Sequence, residues 1–456
     1  MRQTLSIALG VFALMAMGGL LGCSERDLSE LKLAPINDDP VVFADTFGDG
    51  VDYQAFQGSV FTAVSIDASV AFAGSASLKI IVPGPDEEGG TYAGGAFTSS
   101  DYRDLSSYDA LVFYAKSSIN STLNVAGLGN DNTGTSLYEA QRQAIPLTTD
   151  WSLVVVPIPD PARLGLERGL FFFAEGHENN LGFTLWFDEV RFTRLGTITS
   201  PRPAMGSRSV GTFVGASLTA EGTGVTFAVN GQDVEVVHSP RYFDYFSSDE
   251  SVAAIAGAEI RAVGAGTATV TAKLDTIPVV GSIALEVVAP PTEPAPTPTE
   301  PSAEVISLFS DAYTDVPVDT WRATWSQCGP VSDFIIDGDH AKVYTGLIYA
   351  KIEFVSQLID ATDMTHVRMD VWAPEGTIFR VKLVDFGEDG IYNLPIDQSE
   401  LTFNAATDPA FVPGQWSVLD IPLANYTLQS RAHLAQIVIS SPNARTVFVD
   451  NVLFHR

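Results

Sequence analysis

The length, composition and charge of the chain exclude several classes of protein. Its 456 residues correspond to two to four folding units at roughly 100–200 residues per domain. The 25 basic and 55 acidic residues give a formal net charge of −30, which repels phosphate backbones and excludes nucleic acid as an expected partner. Hydrophobic residues form 46% of the chain, beside 38 glycines and 26 prolines. This composition predicts globular domains built from many short strands.

The first residues have the pattern of a secretory signal. Arg2 precedes an uncharged run of 17 residues, Leu5 to Leu21, which is slightly short for a membrane-spanning helix. The run ends in Leu20-Leu21-Gly22-Cys23 and resembles the lipobox of bacterial lipoproteins. The resemblance implies that residues 1–22 are cleaved, that Cys23 carries the lipid, and that this anchor makes the membrane contact. A plain secretory signal with a coincidental cysteine is the alternative.

Ser24 follows the lipobox cysteine where an aspartate would imply retention in the inner membrane. The resemblance therefore implies an outer-membrane lipoprotein at the bacterial cell surface. Residues 23–40 are polar and are expected to form a tether.

Two segments, residues 41–196 and residues 305–456, have the texture of all-β domains. Apolar runs such as Leu111–Ala115 and Phe379–Val384 alternate with turn formers, and no convincing amphipathic helix competes with them. We predict an all-β fold in which two β-sandwiches flank a smaller β-sandwich.

The two segments also match each other in detail. Trp151-Ser152 lies 108 residues after Phe43, and Trp416-Ser417 lies 107 residues after Phe309. Each segment then closes with a similar apolar strand that contains an aspartate. This agreement predicts two copies of one architecture.

These shared features resemble jelly-roll carbohydrate-binding modules, which have an opening F-x-D, a late W-S-x-V-x-x-I-P-L and a terminal D-N-V-x-F. In the last segment VISLFSDAYTDV, FRVKLVDFGEDG and VFVDNVLFH resemble the non-catalytic domain appended to family-16 glycoside hydrolases of the laminarinase type. The resemblance implies recognition of β-glucan. The chain departs from it at Arg322 to Gln327, where relatives often have NPNWGQ.

Residues 203–289 have a different pattern. The stretches SSDESVA at 247–253 and GAGTATVTA at 264–272 resemble group 2 bacterial Ig-like domains, which implies a spacer or an adhesive stalk. Residues 290–304 form a Pro/Thr/Glu-rich linker. Six of the twelve residues from 290 to 301 are proline, which predicts a polyproline II spacer about 37 Å long at about 3.1 Å per residue.

Strand alternation in the last segment separates a core face from a polar face. Arg368, Asp370 and Trp372 alternate with apolar residues, and Arg380 and Lys382 do so on the next predicted strand. If the two strands share a sheet, these five side chains form one sugar-binding face, because a tryptophan among charged residues is free to stack on sugar rings. The alternative is that Trp372 packs under a loop beside ordinary solvated ion pairs.

Aromatic residues in or near loops are expected to form the rim of this face. They include Trp321, Trp325, Tyr344, Tyr349 and Tyr392.

The jelly-roll resemblance also implies structural Ca²⁺ between the first and last strands of each sandwich. The matching aspartates are Asp45 with Asp188, and Asp311 with Asp450. Carboxylate oxygens suit Ca²⁺. The alternative is that these carboxylates accept hydrogen bonds from backbone amides at strand ends.

No catalytic motif was found. The E-x-D-x-x-E pattern of the laminarinase family is absent from the sequence, although a retaining glucanase needs two carboxyl groups about 5–5.5 Å apart. The leading hypothesis is a non-catalytic surface lipoprotein that captures polysaccharide, with neutral laminarin-like β-1,3-glucan favoured, beside degrading enzymes or transporters. The alternatives are a hydrolase or lyase with an unrecognised site, and a purely structural or adhesive protein.

Overall fold

The computed structural model describes residues 36–85, 89–393 and 397–456, which fold into strands and a few single turns of 3₁₀ helix. The predicted all-β fold class is confirmed. Cys23 and the signal segment lie outside the described residues. Among the residues that are described, no helix is long and apolar enough to cross a bilayer.

We call residues 41–193 the first sandwich. Its strands are β1 (Val41–Ala44), β2 (Thr46–Phe47), β3 (Val51–Ala55), β4 (Val64–Asp67), β5 (Ser77–Val82), β6 (Tyr92–Arg103), β7 (Ala110–Ser117), β8 (Ser121–Leu128), β9 (Ala140–Leu147), β10 (Ser152–Pro157), β11 (Glu167–Gly176) and β12 (Phe183–Thr193).

Residues 198–288 are the middle segment. Its strands are β13 (Ile198–Ala204), β14 (Arg208–Phe213), β15 (Ser217–Thr219), β16 (Gly224–Val229), β17 (Gln232–His238), β18 (Asp244–Ser247), β19 (Ala253–Ala256), β20 (Glu259–Ala262), β21 (Gly266–Leu274), β22 (Ile277–Pro278) and β23 (Ile283–Val288).

Residues 305–456 are the last sandwich. Its strands are β24 (Val305–Phe309), β25 (Ser332–Ile336), β26 (Asp339–Tyr344), β27 (Tyr349–Glu353), β28 (His366–Trp372), β29 (Phe379–Asp385), β30 (Gln398–Phe403), β31 (Ser417–Pro422), β32 (Leu434–Ser440) and β33 (Val447–His455). The 3₁₀ turns of the described residues are Pro161–Arg163, Pro240–Tyr242, Ser302–Glu304 and Leu423–Asn425.

Two sheets enclose the core of the first sandwich. One has the order β10-β7-β12-β1-β2, with β5 on β12 and β4 on β5, and the other has the order β13-β16-β17-β9-β8-β11-β6-β3. Phenylalanines fill the space between them. The ring of Phe171 lies 5.2 Å from that of Phe113 and 5.7 Å from that of Phe187, and such close aromatic packing contributes beyond simple area burial.

The second of these sheets does not stop at the first sandwich. Strand β17 pairs with β9 through Val237 and Gln141, and one hydrophobic cluster includes residues from Val42 to Val287. The predicted boundary between residues 196 and 203 therefore crosses a continuous sheet, and the first sandwich and the middle segment share a core.

The middle segment has two further sheets, β14-β23-β21-β18 with β22 on β21, and β15-β20-β19. Along β21 the apolar residues Ala268, Val270 and Ala272 are buried, and the threonines between them are exposed. The strand thus has one apolar face in the core and one hydroxylated face toward solvent, as the two-residue period of a strand requires.

The last sandwich packs a six-stranded sheet against a four-stranded one. The six-stranded sheet has the order β25-β26-β33-β28-β31, with β24 on β33, and the four-stranded sheet has the order β27-β32-β29-β30. Val367, Met369 and Val371 are fully buried between them with Ile437 and Ile439. The predicted core face of β28 is therefore confirmed.

The proline-rich stretch, residues 290–301, is not an extended spacer. The indole N–H of Trp416 donates to the carbonyl of Glu293 at 2.8 Å, the Arg368 guanidinium donates to the carbonyl of Pro296 at 2.7 Å, and Tyr313 donates to the carbonyl of Glu300 at 2.8 Å. The stretch lies across the outer face of the six-stranded sheet, and we call it the strap. The spacer prediction was wrong because the proline content determines the local backbone conformation of the strap, and it does not show whether the strap packs on a neighbouring sheet.

Candidate functional site

Trp372 is covered, which overturns its predicted role. Its side chain points away from the sandwich core, as alternation predicted, but it is only 8% exposed. Its ring lies 5.4 Å from that of Phe448 in a cluster that includes Phe213 of the middle segment. Alternation shows which side of the sheet a residue occupies, but a neighbouring segment covers this side. Trp372 therefore cannot stack on a sugar.

Arg368 and Asp370 form a buried ion pair beneath the strap. The guanidinium donates to both carboxylate oxygens, at 3.0 and 2.8 Å, and the Asn451 amide donates to the same carboxylate at 2.8 Å. Burial raises the pKa of Asp370, and the Arg368 charge opposes that shift. The prediction of a binding role for these two residues was wrong, because their side chains are hydrogen-bonded to each other and Arg368 is hydrogen-bonded to the strap.

Arg380 and Lys382 lie in the other sheet. Strand β29 belongs to the four-stranded sheet and β28 to the six-stranded one, so the five predicted residues do not share a face. Arg380 and Lys382 instead face a groove of about 480 Å³ on the outer side of the four-stranded sheet. The groove also contains Trp325 and Tyr392, and its full lining is Trp325, Ile348, Tyr349, Lys351, Arg380, Lys382, Val384, Tyr392, Gln398, Glu400, Gln436, Val438 and Ser440.

The strand register orders the groove floor into rows. One row is Lys351, Val438, Lys382 and Glu400, taken across β27, β32, β29 and β30. The neighbouring rows place Tyr349, Ser440 and Arg380 on one side, and Gln436, Val384 and Gln398 on the other. The floor thus alternates apolar patches with hydrogen-bonding groups, since side chains at register positions lie side by side.

Two aromatic residues stand at the rim of the groove. Trp325 is 60% exposed, and the Lys351 ammonium lies 3.4 Å from its ring centroid, a cation–π contact. Tyr392 is 39% exposed, and its hydroxyl donates to Gln398 at 2.7 Å. Both rings offer apolar surface to solvent, which is what stacking on a sugar requires.

The basic groups of the groove are loosely neutralised. Glu400 lies 3.6 Å from the Lys382 ammonium and 4.0 Å from the Arg380 guanidinium. In the described chain no carboxylate lies within 4.0 Å of the Lys351 ammonium. Burial lowers the pKa of Lys351, Glu353 raises it, and the Lys382 charge lowers it further.

The structure places Trp321 and Tyr344 outside this groove. The Trp321 ring packs edge-on against Phe309 at 5.5 Å, with the Lys342 ammonium 5.5 Å from its centroid. Tyr344 is fully buried. Their predicted places at the rim were wrong because proximity in sequence to a loop does not determine which side of the sandwich a ring occupies.

Lys351 and Glu400 were missed by the sequence interpretation. In β27 Ala350 and Ile352 are buried while Tyr349, Lys351 and Glu353 are half-buried. The same alternation that was applied to β28 would have predicted an outward Lys351.

The first pair of predicted calcium ligands is satisfied by backbone amides. Asp45 accepts the N–H groups of Ser75 and Ala76, the latter at 2.9 Å. Asp188 accepts those of Phe72, Ala73 and Glu189 at 2.7, 3.1 and 2.8 Å. These contacts fit the amide alternative, and calcium at this pair stays a prediction.

The second pair is less fully bonded. Asp311 accepts the backbone N–H of His340 at 2.6 Å. One oxygen of Asp450 accepts the Asn451 N–H at 2.6 Å, and the other has no hydrogen-bond partner among the described residues. Burial, with the nearby Asp339 carboxylate, raises the pKa of Asp450 to about 8. Within the described ranges no group of three or more His, Cys, Asp or Glu residues could hold a metal, and calcium at this pair stays a prediction.

Comparison with known proteins gives matches only among solved structures. No family model and no curated protein matches the chain, so the lipoprotein, laminarinase-type and Ig-like resemblances stay predictions. A family 30 carbohydrate-binding module of a cellulosomal cellulase of Clostridium thermocellum is 19% identical, with a TM-score of 0.24, over 35% of this chain and 95% of that chain.

Two other solved structures show the same range of similarity. A family 11 carbohydrate-binding module from Clostridium thermocellum, in complex with a β-1,3-1,4-mixed-linked tetrasaccharide, is 14% identical with a TM-score of 0.25, over 35% of this chain and 98% of that chain. A β-1,2-glucanase from Parabacteroides distasonis is 11% identical with a TM-score of 0.22, over 55% of this chain and 39% of that chain.

All three TM-scores are below 0.5, so these likenesses carry no argument about this chain. Its own structure shows packed, mainly antiparallel sheets and a groove that combines exposed aromatic rings with basic side chains.

Proposed function

We propose that this protein is a non-catalytic glycan-binding protein that captures polysaccharide in the groove of the last sandwich. The observation that carries the proposal is the pairing of exposed Trp325 and Tyr392 at the rim with polar side chains on the floor. Sugar rings have apolar faces that stack on aromatic side chains and hydroxyls that pair with amides and charged groups. The groove supplies both kinds of contact on a rigid sheet.

The two carboxylates at outward-facing positions of this sheet, Glu353 and Glu400, support binding without hydrolysis. Glu353 accepts a hydrogen bond from Gln436 at 3.0 Å, and Glu400 faces Lys382. They lie on β27 and β30, which are the opposite edges of the sheet. Three strand spacings separate them by roughly 14 Å, whereas glycosidases that retain configuration need about 5–5.5 Å between carboxyl groups.

The finer assignments rest on sequence resemblance. A laminarin-like β-1,3-glucan is the first ligand to test. A lipid on Cys23 would place the protein on the outer membrane, beside enzymes or transporters that process the same glycan. The docked strap would hold the groove in a fixed orientation on the middle segment.

Affinity gel electrophoresis of the chain in gels containing laminarin tests the proposal. Retardation of the parent is expected to fall by about 10-fold or more in Trp325→Ala, since an apolar contact of a large side chain contributes about 1.5–3 kcal/mol. Trp151→Ala, in the first sandwich, is the matched control and should be retarded like the parent.

Two outcomes would contradict the proposal. Release of reducing sugar from laminarin would favour a hydrolase. Absence of retardation by any polysaccharide, neutral or acidic, would favour a structural or adhesive role.

A further inference from the structure

We propose that the groove selects polysaccharides whose sugar units carry anionic groups, either carboxylate or sulfate. The inference rests on the proposed glycan-binding function and names the ligand class of the same groove. It departs from the neutral glucan that the sequence favoured.

The first observation is an excess of cations in the groove. Lys351, Arg380 and Lys382 all line it, and Glu400 is the acidic residue of its lining. That carboxylate lies 3.6 Å or more from the nitrogens of Arg380 and Lys382, beyond ordinary hydrogen-bond distance. The lining therefore holds three cations and one carboxylate.

Acidic groups beside the groove, which do not line it, accept hydrogen bonds from neighbouring residues. Glu353 accepts from Gln436 at 3.0 Å, and Asp397 accepts the backbone N–H of Asn393. The groove thus keeps a local positive excess although the whole chain carries a formal charge of −30.

Some basic residues outside the groove have closer carboxylate partners. Arg163 lies 2.7 Å from Asp244, Arg202 lies 2.7 Å from Asp233, and Lys342 lies 2.6 Å from Asp333. Acidic partners are abundant in this chain, which has 55 Asp and Glu residues. The longer distances at Glu400 therefore do not reflect a shortage of acidic residues in the chain.

The positions of the cations suit a charged sugar. Lys351 and Lys382 are both register partners of Val438, so their strands are about 10 Å apart with an apolar residue between them. A sugar face can rest on Val438 while its anionic group is reached from either side. Arg380, in the adjacent row, offers the planar donor fork that binds carboxylate and sulfate oxygens.

With a neutral glucan in the groove, Glu400 would remain the one carboxylate within 4.0 Å of these cations among the described residues. Like charges near each other on a half-buried floor repel, and the Lys382 charge contributes to lowering the pKa of Lys351. An anionic substituent on the sugar adds a countercharge beside these cations, and this attraction favours the charged polysaccharide over the neutral one.

The test compares pairs of polysaccharides that have the same backbone, one member neutral and the other anionic. The full chain is run in gels containing hydroxyethyl cellulose or carboxymethyl cellulose, and laminarin or sulfated laminarin, at low salt and in 0.5 M NaCl. We expect the charged member of at least one pair to bind about 10-fold more tightly at low salt, and the difference to shrink in high salt because screening weakens exposed charge pairs. The carboxymethyl and sulfate arms identify the anionic group.

Variants separate this inference from the proposed function. Lys382→Gln should lose most of the preference for the charged polymer and keep binding of the neutral one, whereas Trp325→Ala should lose both. Lys342→Gln, a lysine outside the groove lining, is the control and should keep the preference.

Equal binding of charged and neutral members by the parent, or an unchanged preference in Lys382→Gln, would overturn the inference and leave glycan binding intact. Loss of all binding by the parent would overturn the proposed function itself.

Discussion

A matched position in the equivalent sheets of the two sandwiches holds a different residue and has a different environment in each. In the first sandwich Lys116 of β7 is the register partner of Trp186 of β12, and in the last sandwich Trp372 of β28 is the partner of Phe448 of β33. Lys116 is half-buried, with its ammonium 5.7 Å from the Trp186 ring. Trp372 is buried under the middle segment. The residue is a lysine where the outer face of the sheet is partly open to solvent, and a tryptophan where the middle segment covers that face.

A second matched position shows the same relation. Tyr114 pairs in register with Asp188, as Asp370 does with Asp450. Tyr114 stacks at 3.5 Å on Phe72, which comes from a loop of its own sandwich, whereas Asp370 pairs with a guanidinium beneath the strap. Similar sheets therefore have outer faces whose chemistry is determined by the segment that lies on them.

Substitutions at the matched positions Trp372 and Lys116 are expected to show the largest difference in stability. Trp372→Lys would bury an ammonium in an aromatic cluster, and we expect a loss of about 4 kcal/mol or more in the free energy of unfolding, from lost packing and unpaired charge. Lys116→Trp should change it by no more than about 0.5 kcal/mol, because its position is partly open to solvent. Urea denaturation of both variants measures the difference, and equal losses would contradict the comparison.

Neutralising the buried acid tests the second position. Asp370→Asn leaves the Arg368 charge buried without its partner, and we expect a loss of about 3–5 kcal/mol. Tyr114→Phe, at the matched position, removes a hydroxyl that makes no hydrogen bond to the described residues and should cost less than about 0.5 kcal/mol. Thermal unfolding monitored by circular dichroism distinguishes the two, and a stable Asp370→Asn variant would show that the pair does not hold the strap.

The pH dependence of stability compares a buried acid that has an ion-pair partner, Asp370, with a buried acid, Glu175, that has none among the described residues. Glu175 in the first sandwich is nearly fully buried, and burial raises its pKa from 4.5 to about 8. The folded chain then holds a proton that the unfolded chain has released between these values. Its contribution to stability is complete below about pH 4.5 and is lost as the pH rises through about 8.

Glu175→Gln should remove this contribution to the slope, which for one proton is at most about 1.4 kcal/mol per pH unit. Chemical denaturation of parent and variant from pH 5 to pH 9 measures it. Parallel curves would show that Glu175 titrates normally in the fold.

The sequence predicted the fold class and the local alternation well. The outward direction of Trp372 and the two faces of β21 follow from the period of a strand, which is local. Local patterns do not show which strands share a sheet, and so Arg368 and Arg380 were placed on one face although the sandwich separates them.

Part of the groove could have been predicted and part could not. Arg380, Lys382, Trp325 and Tyr392 were expected near a ligand, and the structure brings them together. The same alternation argument, applied to β27, would have predicted that Lys351 faces outward. The cover over Trp372 depends on contacts between segments distant in sequence, which no periodicity contains.

The docked strap has a practical consequence for dividing the chain into fragments. A fragment that began at residue 305 would lack the segment whose carbonyls receive hydrogen bonds from Trp416 and Arg368. It would also lack Phe213, and the aromatic cluster around Trp372 would meet water. The middle segment in turn shares a sheet and a core with the first sandwich, so expression of the groove with its covering segments intact calls for a start upstream of β1.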